Sequence, residues 1–309
     1  MTSLPDLPDV GTRVSLRYLR PPGSDPPMAD VVGHLVQAGP RVRVRTADGE
    51  LHEFRLSDVL YVRRLTDRPV KNSQIRAVEH AAALAWPGTE HQWLDGWWLR
   101  AGHGSSLRAN SAVPLDMFVQ TSTIPAIIDW YAQRGLAPRL AVPERLLRLP
   151  DNIPTECETR TLVSDLASGG GDCSDFQGTG VTLSPRPDAG WLDCYARDVG
   201  VDVLTAVADG EVVFASIAGV AVGRAAVTES PDGTRWVGLS AVRVVEDQRG
   251  RGHARAVCAA LQSWGRDHGA ARGYAQVRSD DAAAFGLFEA IGLSPQHRSR
   301  YLDARVLQP

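Results

Sequence analysis

A strand, a glycine-rich turn and a helix follow one another without a break in residues 236–264, WVGLSAVRVVEDQRGRGHARAVCAALQSW. Val237, Leu239, Ala241 and Val244 are apolar, and Val242, Val244 and Val245 add β-branched weight, so the stretch opens as a strand. A polar turn, Glu246-Asp247-Gln248, leads into Arg249-Gly250-Arg251-Gly252-His253-Ala254. Beyond it Ala254, Val257, Cys258, Leu261 and Trp264 recur at steps of three and four, which makes one apolar helix face. A turn of this kind presents unpaired backbone N–H groups at the positive end of a helix dipole, a cradle for phosphate. The two glycines let the backbone approach an anion, and Arg249, Arg251 and Arg255 add charge. The ligand expected here is anionic, of pyrophosphate type.

Arg249-x-x-Gly252-x-Ala254 between a strand and a helix resembles the acyl-CoA loop of the GNAT N-acetyltransferase superfamily. Downstream, residues 275–293 read AQVRSDDAAAFGLFEAIGL, a strand and then a helix, and resemble the superfamily's next segment. There Asp281 stands where asparagine is usual, and Leu287-Phe288-Glu289-Ala290-Ile291-Gly292-Leu293 closes the segment. The two motifs stand in the right order at the right spacing and cover the C-terminal third of the chain.

The resemblance implies an α+β protein with the mixed-sheet GNAT acyl-CoA N-acyltransferase fold, using acetyl-CoA as cosubstrate. It implies that backbone groups of Val242, Arg243 and Val244 pair with the pantetheine arm. The N–H groups of Arg249, Gly250, Arg251, Gly252, His253 and Ala254 would hold the pyrophosphate. A neutral amine, of a protein lysine, a peptide terminus or a small molecule, attacks the thioester directly while backbone N–H groups polarise its carbonyl. No covalent enzyme intermediate is needed, so the want of a Ser-His-Asp or Cys-His set is no contradiction.

Two positions depart from the family pattern. Phe288 stands where many members carry the tyrosine that protonates the leaving thiolate, and phenylalanine has no proton to donate. Tyr301 or a water would substitute, or CoA leaves as a thiolate, a fair leaving group at a thiol pKa of about 8.5. Losing a general acid costs roughly 10²-fold in rate or more. Asp281 puts a negative charge near the cofactor arm or caps the following helix. Glu229, Glu246 and Asp247 are candidates for the general base, His253 is a side chain flanking the cofactor, and no metal is placed.

The rest of the chain divides into candidate units. Residues 1–70 carry four or five short strands, including the alternating Arg41-Val42-Arg43-Val44-Arg45, separated by turn-rich segments such as Pro21-Pro22-Gly23. This predicts a small all-β barrel, closest to SH3-like, as a packing or recognition module. Residues 71–166 carry a helix over Ile75–Ala85, an aromatic strand over Trp93–Arg100 and a second strand over Arg108–Pro114. A helix over Thr123–Gly135 and strands at Leu140–Val142 and Thr161–Val163 follow, an order that resembles a degenerate half of the same acetyltransferase fold. Residues 167–309 form the catalytic domain. Residues 167–190, with Gly169-Gly170-Gly171, read as a linker or mobile loop, and the last strand is placed near Ser299–Val306.

At 309 residues the chain is long enough for two or three domains. A net charge of −3 offers no global basic field, so a nucleic-acid module built on Arg249–Gly252 is disfavoured. A catalytically inactive acyl-CoA sensor is the other alternative, which Phe288 permits. No apolar run is long enough for a membrane helix, the start shows no signal pattern, and the four cysteines lack metal-ligand spacing. A cytoplasmic protein is expected. The acceptor's identity and the oligomeric state stay open.

Overall fold

The structure, a computed structural model, describes residues 7–8, 10–46, 49–65, 70–150, 152–166 and 180–307. The chain separates into two compact units, Met1–Val70 and Lys71–Pro309.

The first unit is an antiparallel sheet of β1 (Arg13–Leu19), β2 (Met28–Gln37), β3 (Arg41–Arg45), β4 (Leu51–Arg55) and β5 (Val59–Arg64), in the order β4-β3-β2-β1-β5. The alternation in β3 does what its sequence demands. Val42 and Val44 are buried with Val14, Leu16, Leu35 and Phe54, while the arginines face outward. Arg43 Nε meets Glu53 on the neighbouring strand at 2.6 Å.

The second unit opens with α1 (Asn72–Ala85), an alanine-rich helix whose first turn is tied by the Lys71 N–H donating to Gln74 Oε1 at 2.9 Å. A small sheet follows, β6 (Glu90–Leu94), β7 (Trp97–Ala101) and β8 (Val113–Pro114), then α2 (Ile124–Ala132), β9 (Arg139–Pro143) and β10 (Cys157–Asp165). The chain resumes with β11 (Thr182–Ser184), α3 (Ala189–Tyr195), α4 (Val201–Thr205), β12 (Glu211–Ile217), β13 (Ala221–Glu229) and β14 (Arg235–Val244). It ends with α5 (His253–Asp267), β15 (Arg272–Arg278), α6 (Ala282–Ala290) and β16 (Ser294–Asp303). Eight strands make one mixed sheet in the order β11-β12-β13-β14-β15-β10-β16-β9, with β14 and β15 its parallel pair.

Several expectations change here. The aromatic strand over Trp93–Arg100 is a hairpin, β6 and β7, folded at Asp95 and Gly96, both with positive φ. The strand over Arg108–Pro114 shrinks to Val113–Pro114. The final strand begins at Ser294, and Ala304–Leu307 is a 3-10 turn. Residues 71–166 do not stand apart as a half of their own, because β10 lies between β15 and β16 and β9 extends the same sheet. Of the expected linker, 167–179 lies outside the described residues, and the remainder holds β11 and the start of α3.

Alternation along the strands gives the large sheet two unlike faces. Val237 and Leu239 of β14 and Ala275 and Val277 of β15 point toward α5 and α6, burying Val257, Cys258, Leu261 and Phe288. Glycine lets α5 settle close. A Cβ at Gly265 would come within 2.6 Å of the Val237 side chain. On the other face Trp236 and Tyr274 pack under α1 against Val78, Ala81 and Ala82.

Candidate active site

The site begins where two strands part. Parallel pairing of β14 with β15 runs from Trp236↔Arg272 to Leu239↔Ala275 and stops. β14 continues to Val244 and β15 to Arg278, so the facing edges beyond that point lack a strand partner for one another. On its other side β14 gains a residue over β13, since Arg224 lies opposite Ser240 but Val222 lies opposite Arg243. Ala241 inside this bulge takes a φ of 52°, a left-handed conformation unusual for alanine. A bulge re-aims the backbone locally, here along the stretch Val242-Arg243-Val244 that borders the gap.

The Arg243 side chain is committed elsewhere, its Nη1 donating to Tyr195 O at 2.8 Å at the end of α3. That leaves its backbone as the part beside the gap.

The glycine turn stands at the same end of β14. A short 3-10 turn, Glu246–Gln248, precedes Gly250 at φ 75° and Gly252 at φ 86°. Gly252 is the N-cap of α5 and no side chain caps the helix, so its first N–H groups face outward with no side-chain acceptor. A Cβ at either glycine would meet nothing within 4 Å. Glycine is therefore required by the backbone turn, not by crowding. Arg249, Arg251 and Arg255 are exposed around it, and His253 and Ala254 are half-buried in the first turn.

On the α1 side of the sheet the parted strands open into a narrow cleft lined by Ala82, Trp86, Arg108, Gly238, Leu239, Ser240, Tyr274 and Gln276. Gly238 is needed for this wall, since a Cβ there would lie 2.2 Å from the Tyr274 hydroxyl. Arg108 Nη2 donates to the Gln276 carbonyl, one residue past the last β14–β15 pair.

A buried polar layer backs the cleft. Glu79 on α1 accepts from His297 Nε2 at 2.8 Å, Gln276 Nε2 at 2.9 Å and Thr161 Oγ1 at 3.1 Å. Burial pushes the Glu79 pKa up, but His297 and the two further donors outweigh it and hold the carboxyl below its ordinary value. Arg100 is buried with Nε and Nη2 on Ser111, and burial lowers its pKa. Arg224, fully buried, donates to the carbonyls of Leu204, Ala85 and Ala206 and lies 4.2 Å from the Trp86 ring centre. Its Nη1 has no hydrogen-bond partner, and burial pushes its pKa down to about 9.

Thus Val242 in the bulge, Arg243 and Val244 just beyond it, and the turn Arg249–Ala254 come together along one end of β14. Asp281 is the N-cap of α6, its Oδ1 accepting from the Ala284 N–H at 2.9 Å, the capping alternative in geometric form. Phe288 is 5% exposed within the apolar core under α5 and α6. Tyr301 is buried on β16 opposite Cys157 and Ala141, packed with Leu84 and Trp98, and burial raises its pKa. Glu229 is exposed at the far end of β13, opposite Arg235, whereas the gap lies near the end where Ala221 meets Val244. The structure does not bring Glu229 or Tyr301 to the lining of the cleft. Glu246 and Asp247 are exposed just before the glycine turn. Among the described residues no three His, Cys, Asp or Glu side chains are placed to hold a metal.

Glu79, Gln276, His297 and Arg108 were not singled out by sequence reasoning. Glu79 carried a signal, because it falls among Ile75, Val78 and Ala82 on the apolar stripe of α1, where a carboxylate must find a partner.

Residues 72–302 match a family model described as the C-terminal part of the probable histone acetyltransferase Rv0428c, and residues 8–63 match the model of its N-terminal Sm-like domain. The chain is 52% identical over 299 residues to the probable histone acetyltransferase Rv0428c of Mycobacterium tuberculosis, with 96% of each chain covered. The chain belongs to the Rv0428c family of GNAT acetyltransferases. A relative in Bacillus subtilis, the uncharacterized N-acetyltransferase YobR, is 26% identical over 251 residues, covering 74% of this chain and 97% of that one. The structure of a GCN5-related N-acetyltransferase from Kribbella flavida aligns with a TM-score of 0.48 at 15% identity, over 72% of this chain and 95% of that one. Members of the Rv0428c family carry an Sm-like N-terminal unit, so the SH3-like expectation is corrected to Sm-like. Both are small antiparallel barrels of short strands, and strand spacing does not tell them apart. The acetyltransferase fold of this family member, and its being an enzyme of that class, match the expectation from the glycine turn.

Proposed function

We propose that the chain is an acetyl-CoA-dependent N-acetyltransferase that moves the acetyl group to a primary amine by direct attack. One observation carries this reading: β14 and β15 part at Leu239 and Ala275, beside a bulge, at the end of β14 that leads into the uncapped N-terminus of α5. Unpaired strand edges suit the amide groups of a pantetheine arm, and free helix N–H groups suit its pyrophosphate. The residues present fit that cosubstrate. Gly250 and Gly252 supply the turn, Arg249, Arg251 and Arg255 the positive surroundings, and Val242 to Val244 the strand edge.

In the attack, the amine nitrogen forms a bond to the thioester carbon and gives up one proton to water, the carbonyl oxygen takes up negative charge, and the carbonyl re-forms as the carbon–sulfur bond breaks. Backbone N–H groups near the bulge stabilise that oxygen. Phe288 lies in the apolar core, so the sulfur leaves as thiolate or takes its proton from water. Free thiols at Cys157, Cys194 and Cys258 accord with a reducing, cytoplasmic setting.

Titration of the purified protein with acetyl-CoA by calorimetry, followed by a thiol-release assay over a panel of amines and basic peptides, tests the reading. Binding with turnover is expected. Binding without turnover on any acceptor would favour an acyl-CoA sensor, which the phenylalanine at 288 permits. No binding would remove the reading.

A further inference from the structure

We propose that the acceptor is an amine bearing a carboxylate beside the reacting nitrogen, and that Arg108 recognises that carboxylate in the cleft. The inference rests on the acetyl-transfer reading of the same cleft and names its second substrate by class.

Arg108 is the one charged residue among the described residues lining the cleft; the others are Ala82, Trp86, Gly238, Leu239, Ser240, Tyr274 and Gln276. Its guanidinium reaches the carbonyl of Gln276 where the strands part, which is where the thioester is expected. No carboxylate pairs with it among the described residues. A planar fork of donors with one carbonyl partner is suited to a second, anionic one.

The layer behind the cleft sharpens the choice. Arg100 and Arg224 are both buried and bonded to carbonyls and a hydroxyl instead of to acids. Arg108 is close enough to both to repel them. Glu79 is the one acidic side chain among the buried described residues, and it is committed to His297, Gln276 and Thr161.

The wall is therefore net positive. An isolated lysine ammonium entering it meets like charge, with no acid among the described residues that line the cleft to receive it. An amine with an adjoining carboxylate brings its own compensation, and the same field favours the neutral form of the nitrogen, which is the nucleophile. A bound carboxylate also fixes the amine's approach to one side of the gap.

The test compares amines that differ by one carboxylate, such as phenylalanine with phenethylamine and lysine with cadaverine. Thiol release gives kcat/KM for each, on the wild-type protein and on Arg108→Gln, and calorimetry gives acetyl-CoA affinity separately. The wild-type protein is expected to prefer the acid of each pair by about 10- to 100-fold, the scale of a hydrogen-bonded charge. Arg108→Gln is expected to erase that preference chiefly through KM of the acid, with acetyl-CoA affinity kept within about threefold, less than the tenfold that about 1.4 kcal/mol represents. If Arg108→Gln does not fold, Arg108→Lys, which keeps the charge and loses the fork, should give an intermediate ratio.

Equal use of both members, or a preference that survives at Arg108→Gln, overturns the proposal. Acetyl-CoA binding with neither member consumed, and no heat from adding the acids, overturns the acceptor class alone. Failure of acetyl-CoA to bind instead removes the cofactor reading, and the acceptor proposal falls with it.

Discussion

The two faces of the eight-stranded sheet do different work. Under α5 and α6 the buried residues are apolar, from Leu162 through Val237 and Leu261 to Phe288. Under α1 the sheet carries His297, Thr161 and Gln276, all bonded to Glu79 of the helix, and Arg224, bonded to backbone carbonyls. The first face is held by area removed from water, at about 25 cal/mol per Å² of apolar surface. The second is held by polar pairs whose loss leaves charge stranded. The difference teaches where chemistry is placed: the cleft opens on the face where burial alone does not hold the structure together.

The sharpest way to break this contrast is Glu79→Ala. It strands His297, Thr161 and Gln276 in the interior, and a loss of about 3–5 kcal/mol in chemical denaturation is expected, as for a broken buried pair. A loss under ~1 kcal/mol would mean that the polar face is held like the apolar one. Next is Gly252→Asp. It forces a side chain into a left-handed backbone and sets a negative charge at the α5 N-terminus. A drop in acetyl-CoA affinity of roughly 100-fold, near 2.7 kcal/mol, is expected by calorimetry. Unchanged affinity would move the cofactor away from that helix end. The smallest effect belongs to Phe288→Tyr, which places a hydroxyl in the apolar core. Stability is expected to fall by about 1–2 kcal/mol with acetyl-CoA affinity unchanged. A clear rise in turnover would show instead that position 288 opens onto the sulfur.

The apolar face was legible because its signal is local. Val257, Cys258 and Leu261 repeat at helical spacing, and the glycines that start α5 stand next to them. The polar face depends on register. Glu79 meets His297 only because β16 lies beside β10 and α1 crosses the same face, facts set by pairing between distant segments. The parting of β14 and β15 is likewise a matter of where pairing ends, which no residue type in either strand announces. The hairpin of β6 and β7 is a different case. Asp95-Gly96 is a turn signal in its own right, and reading the aromatic run as one strand passed over it.

β10 gives the molecule a history as well as a shape. It is made halfway along the chain, yet both of its neighbours, β15 and β16, come near the end, with Thr159 lying against Arg278. At roughly 5–20 residues per second of synthesis it waits on the order of ten seconds with both edges open. Long-range closure of this kind slows folding and raises contact order. The end of the sheet formed by β15, β10, β16 and β9 is thus its last part to be assembled. A ribosome stalled short of β16 would hold a strand without a home, and the nascent chain's exposure to aggregation or to chaperones is greatest during that interval.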